Sequence, residues 1–167
     1  MFRSSAFTAA LGLSAMLAAH AQAAEGVLTE TRHMLSADLA VEAAQAAIAS
    51  CKSQGYSVTA TIADRSGAIK IMLVSDGAGG VSRESTRRKA YTAALLGIST
   101  DDLAKRIASG GFNPSLYDPQ MISGAGGVPI KIGNETIGGI AAAGAPGGDK
   151  DEACAKAGLA KIADRLK

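Results

Sequence analysis

Residues 126–158 read GGVPIKIGNETIGGIAAAGAPGGDKDEACAKAG, and this stretch decides the fold. Val128, Ile130 and Ile132 alternate with other residues, as a half-buried strand requires. Gly133-Asn134 supplies a tight turn, and Ile137-Gly138-Gly139-Ile140 returns as the second strand of a hairpin. An acidic-capped helix follows, expected over about 150–166. Nine of the chain's 20 glycines fall between Gly124 and Gly148. Glycine weakens a strand interior, so this density marks a place where another backbone or a ligand comes close. Packing of a helix on a strand and a ligand surface are both consistent with it.

Working outward, Leu35 to about Lys52 has the spacing of an amphipathic helix. Ser36 is its candidate cap, Asp38 lies in its first turn, and Val41, Ala44, Ile48 and Cys51 form a stripe. Val58–Ala63 and Ala68–Val74 read as strands joined by Asp64-Arg65-Ser66-Gly67, a turn with glycine at its left-handed position. Helices are expected at about 82–96 and 101–108, the second capped by Thr100 with two aspartates in its first turn. Residues 110–124, with Pro114 and Pro119, read as irregular. Hairpins separated by helices predict an α+β domain: an antiparallel sheet of about five strands with helices on its faces.

The first 23 residues have the layout of a Sec-type signal peptide. Arg3 gives a positive start, Ala6–Ala19 an apolar run, and Ala21-Gln22-Ala23 a small-residue cleavage site. That run is shorter than the roughly 20 residues a membrane span needs. The reading is therefore a leader at 1–23, an N-terminal extension at 24–34 and a single domain at 35–167. The protein is expected to be periplasmic or secreted, with no membrane span after cleavage. The chain carries a formal net charge of +2 and no tryptophan, and Phe112 is the only phenylalanine after the leader. So neutral and aromatic-poor a chain lacks the basic field and stacking surfaces of nucleic-acid binders.

Catalytic signatures are scarce. There is no HExxH, GxSxG or CxxC, and His33 is the only histidine once His20 leaves with the leader. Export makes a Cys51–Cys154 disulfide possible, since it is the sole intramolecular pairing after the leader. The thiols meet if the first and last helices lie side by side; otherwise they are two separate buried thiols. A bridge closing about 100 residues corresponds to ~4–5 kcal/mol on the chain-entropy estimate.

The GGVPI hairpin, IGGIAAAGAPGG, DEACAKAGL, IADRSGAIKIMLVSDGAG at 62–79 and the run Lys89-Ala90-Tyr91-Thr92-Ala93 together resemble the GlcG/HbpS-like haem-binding family. The C-terminal domain of PduO cobalamin adenosyltransferases belongs to the same family. The resemblance covers about Leu35–Leu166. It departs at Ala141-Ala142-Ala143-Gly144, where many relatives read GVSG, so any role of that serine hydroxyl is absent here.

The resemblance implies a profilin-like fold, a homo-oligomer and a small-molecule ligand, with haem foremost. His33 is then the natural iron donor, and Arg87, Arg88 and Lys89 are candidates for the propionates. As a bare charge run, the same three read as a solvated helix face. Some relatives carry an acidic D/E-x-x-E element linked to iron, and Asp149…Glu152 has that spacing, so iron is a further possible cofactor. The same spacing is that of a capping box, with Asp149 as cap and Glu152 at the third helical position. Two other readings stand beside the binder. One is an accessory protein acting through an extracytoplasmic protein partner. The other is an enzyme acting on a small metabolite such as glycolate, or degrading tetrapyrroles.

Overall fold

A computed structural model describes residues 32–112 and 118–167. The signal peptide expected at 1–23, residues 24–31 of the extension, and Pro114 and Tyr117 of the irregular segment lie outside the described residues. The elements run α1 (Ala37–Lys52), β1 (Thr59–Asp64), β2 (Ile69–Val74), α2 (Val81–Leu96), α3 (Thr100–Ala108), β3 (Gly127–Ile132), β4 (Glu135–Ala143) and α4 (Gly148–Ile162), closed by a 3-10 turn at Ala163–Arg165. The expected α+β architecture holds, with four strands among the described residues where about five were expected. Their order is β2-β1-β4-β3, and every neighbouring pair is antiparallel.

Strand alternation divides the sheet into two unlike faces. Val58, just before β1, and Ala60 and Ile62 on it enter the main core with Ile130 of β3 and Ile140 and Ala142 of β4. α1 and α4 cover this face with Ala40, Ala43, Ala44, Ala47, Ala155 and Ile162. Full burial of each large aliphatic side chain there contributes ~1.5–3 kcal/mol. The alanine-rich surface of α1 lets α4 come close, and Gly158 completes the fit: a Cβ there would lie 2.5 Å from the Ala43 carbonyl oxygen. Cys51 and Cys154 are fully buried at this helix pair and joined as a disulfide, with Cα atoms 5.5 Å apart.

The opposite face of β1 presents Thr59, Thr61 and Ala63 to α2. Thr59 Oγ1 and Ser82 Oγ are 2.7 Å apart, and Thr61 Oγ1 donates to Thr86 Oγ1 at 2.9 Å, all four buried. Buried hydroxyls paired in this way avoid the cost of an unmet polar group and fix one register of helix on sheet. Gly139 allows the close approach, because a Cβ on it would overlap the Ala90 carbonyl oxygen. Gly97, at φ 63°, then ends α2 in a left-handed cap.

Two caps differ from the sequence reading. Ser99, not Thr100, caps α3 by accepting from Asp102 N at 3.0 Å. Thr100 is already helical, and its buried hydroxyl accepts from Gly127 N at 2.9 Å, tying α3 to β3. At α4 the cap position is Gly147, with no side-chain capping bond, so the box expected from Asp149 and Glu152 does not form.

Candidate ligand-binding site

The carriers of chemistry gather at two ends of the sheet. At the glycine-lined end, where β3 begins and β4 finishes, lie Lys89, Asp151 and Glu152. Lys89 Nζ donates to the Ala125 carbonyl oxygen at 2.6 Å and stands 3.7 Å from Asp151 Oδ2, both side chains being about nine-tenths buried. Asp151 Oδ1 accepts from Ala145 N at 2.9 Å, and Glu152 accepts from Gly126 N at 3.3 Å and from Lys156 at 2.6 Å. Burial pushes the Lys89 ammonium below its usual value and the Asp151 carboxyl above its own, each toward neutrality.

This network joins α2, α4 and the β3 entry, and its polar groups are spent on one another. Glu152, expected as a cation ligand with Asp149, is buried in it, while Asp149 is exposed. Among the described residues no group of three or more His, Cys, Asp or Glu side chains is placed to hold a metal ion. A cleft of about 330 Å³ opens beside the network, lined by Gly79, Val81, Ser82, Ser85, Ala143, Gly144 and Asp151.

The glycines that suggested a ligand surface are packed against the chain's own backbone. Gly138 and Gly139 are buried against Ala63 and Ala90, and a Cβ on Gly144 would lie 2.5 Å from the Ser57 carbonyl oxygen. Of the two readings of that density, tight packing describes these positions.

The other two members of the basic run also have internal partners. Arg87 forms a two-pronged pair with Glu84 at 2.8 and 2.9 Å and donates to Gln120 at 3.1 Å. Arg88 donates to the carbonyl oxygens of Pro119, Gln120 and Met121 at 2.9–3.0 Å. Tyr91 adds a 2.5 Å hydrogen bond to Asp118, which holds the Asp118 carboxyl below its usual value. α2 thereby fastens residues 118–121 across its outer face.

His33 lies at the opposite end of the sheet. Its Nδ1 is 2.7 Å from Glu135 Oε2, where β4 begins, and Glu135 Oε1 accepts from Arg65 at 3.1 Å. The His33 bond, helped by the nearby positive charges, holds the Glu135 carboxyl below its usual 4.5. Half of the His33 side chain is open to solvent, and the neighbouring Met34 is 86% exposed. In the neutral ring that donates from Nδ1 to this carboxylate, Nε2 carries the free lone pair, the arrangement by which a carboxylate orients a metal-binding imidazole. His33 and Lys89 do not share a site. Their contacts at Glu135 and next to Ala142 are seven residues apart on β4, or about 23 Å at strand spacing.

Arg65 and Glu135 are the two members of this cluster that sequence reasoning missed. Each follows a turn signal, in Asp64-Arg65-Ser66-Gly67 and Gly133-Asn134-Glu135, but only the pairing of β1 with β4 sets those turns side by side.

Comparison with known proteins places this geometry among relatives. A family model described as haem degrading protein HbpS-like matches residues 35–160. A crystal structure of an HbpS double mutant from Streptomyces reticuli is 36% identical, with a TM-score of 0.74, covering 95% of this chain and 97% of that one. A second HbpS structure is 40% identical with a TM-score of 0.75, covering 83% and 96%. A PduOC complex with haem shares the fold at a TM-score of 0.71 and 22% identity, over 78% of this chain and 96% of that one. No curated protein matches the chain.

Proposed function

The chain belongs to the HbpS-like family, and from that premise we propose that it is an exported protein that binds haem or a related tetrapyrrole through His33. The observation that carries the proposal is the 2.7 Å bond from His33 to Glu135, which leaves Nε2 to donate to iron. The donor set suits the group: a neutral imidazole backed by a carboxylate is a strong axial ligand, and Met34 supplies exposed apolar surface next to it. Arg65, already on Glu135, is the cation suited to a propionate at this end. Arg87, Arg88 and Lys89 are assigned instead to holding residues 118–126 in place. Bound haem would supply the iron centre and a large apolar face, and the open side of His33 is consistent with cover from a second subunit.

Haemin titration of the purified protein tests this reading. The expected result is a stoichiometric Soret shift that weakens at least tenfold in affinity in His33→Ala and changes its spectrum in Glu135→Gln. An unchanged spectrum and affinity in His33→Ala would remove His33 as the donor. The family description also favours a second reading, haem degradation. Release of a bilin from the complex under reductant separates an enzyme from a binder, and no Soret response at all would favour an accessory protein acting through a partner.

A further inference from the structure

We infer that β2 is a self-pairing edge, by which two copies join antiparallel about a two-fold axis at Leu73 into one continuous eight-stranded sheet. This assignment is independent of the haem reading. Three features of β2 and its borders lead to it.

The first is the edge itself. β2 is terminal in the order β2-β1-β4-β3, so among the described residues one row of its backbone N–H and C=O groups has no partner strand. The other edge strand, β3, carries Pro129, whose missing N–H blunts pairing. β2 contains no proline, and its irregularity is confined to its start, where Lys70 is the extra residue between the pairs Ile62↔Ile71 and Ala63↔Ile69. From Ile71 onward the strand is regular.

The second is exposed apolar surface. Of the five exposed large apolar side chains among the described residues, Ile69 and Val74 lie on β2 and Val81 opens the next element. Grouping of this kind around an unpaired edge marks an interaction surface. On the α1 face, Leu73 and Val74 also line a groove of about 370 Å³ with Ile48, Lys52 and Tyr56.

The third is register and charge, and it selects a second copy as the occupant. Ser75 N donates to the Val58 carbonyl oxygen at 3.0 Å while its own carbonyl accepts from Ala78 N in the next turn, so the ladder with β1 ends at Ser75 and alternation turns the backbone groups of Leu73 toward β1. By alternation Met72 and Val74 turn theirs outward. A two-fold axis at Leu73 brings Met72 of one copy opposite Val74 of the other, both with outward-facing groups, and sets the two Leu73 side chains together. Counted on past the regular strand, to the irregular Lys70 at one end and to Asp76 in the turn after Val74 at the other, the same register brings Lys70 of one copy to the neighbourhood of Asp76 of the other. Both are exposed, and neither has an ion pair among the described residues. A strand with a cation at one end and an anion at the other is complementary to its own antiparallel image.

Light scattering and analytical ultracentrifugation of the purified chain test this with four variants. Val74→Pro removes an outward N–H that β1 does not use, so it should halve the mass of the assembly while the far-UV spectrum and thermal midpoint persist. Lys70→Asp or Asp76→Lys alone should weaken association at least tenfold, and the double exchange should restore most of it. A monomeric parent, or an assembly that ignores both Val74→Pro and the single reversals, would overturn the assignment. So would weakening by the single reversals without rescue in the double. Haemin titration of the same variants reports separately on His33.

Discussion

Gly139 lies directly beneath Ala90, with no room between the β4 backbone and the α2 carbonyl for even one methyl group. The spacing of the whole α2 layer rests on this contact, because the Thr59–Ser82 and Thr61–Thr86 hydroxyl pairs form only at that separation. Gly139→Ala is therefore expected to cost ~3 kcal/mol or more, through displaced helix backbone and broken hydroxyl pairs together. Urea unfolding checks the loss, and Gly133→Ala is not a suitable control because that residue has φ 56°. Gly79→Ala is suitable, since nothing lies within 4 Å of its Cβ position. It should change stability by less than ~0.5 kcal/mol.

Lys89→Met should be strongly destabilising, by roughly 3 kcal/mol, because it leaves the Asp151 carboxylate buried without its cation. The pH dependence has a definite sign. Burial raises Asp151 above 3.8, so its contribution to stability is complete below that pH and is lost as the pH climbs through the folded-state value. Asp151→Asn cannot ionise and escapes that loss. The stability difference between parent and variant, measured by denaturant unfolding from pH 3.5 upward, should therefore move in favour of the variant as pH rises. A constant difference across that range would show that Asp151 titrates normally.

Glu135 behaves in the opposite sense. Its carboxyl is held below 4.5, chiefly by the bond from His33, so its contribution is present above 4.5 and disappears as pH falls through the lowered value. A side-chain carboxyl NMR titration should place its midpoint below 4.5 in the parent and move it upward in His33→Ala. A midpoint that does not respond to the substitution would mean that the two side chains are separate in solution.

The Cys51–Cys154 disulfide and the leader are read in one measurement. Intact mass of the exported protein under denaturing conditions should correspond to a chain beginning at Ala24 with both thiols resistant to alkylation until reduced. Reduction, or Cys154→Ser, should lower stability by ~2–5 kcal/mol. A mature chain that starts at Met1 would refute the export reading, and thiols that label before reduction would refute the bridge.

The elements themselves were legible in the sequence wherever a local signal existed. Ser36 caps α1 as expected, accepting from Leu39 N at 3.3 Å, and the Gly133-Asn134 turn and both hairpins stand where alternation placed them. The two cysteines on two apolar stripes left the α1–α4 contact open, as one of two arrangements, and the structure has the bridged one. What escaped is non-local. The pairing of Thr59 with Ala143 joins residues far apart in the chain, and neither strand carries a mark of the other. The Arg65–Glu135–His33 cluster depends on that pairing and so stayed hidden, as did the burial of Lys89. A lysine in a run of three cations reads as solvated, and only the arrival of Asp151 from α4 shows otherwise. Thr100 was misplaced by a single position because Ser99 and Thr100 are both good caps, and Gly127 N decided between them.

The disulfide between the first and last helices also governs what a protease can do. Residues 52–153 lie inside the covalent loop, which includes β1 to β4 and both α2 and α3. A single cut anywhere in that span yields two pieces that remain one molecule, still holding α1 against α4. Such a nicked chain runs as a single band without reductant and as two with it. The bridge thus makes the first cleavage survivable and postpones dissociation to the second.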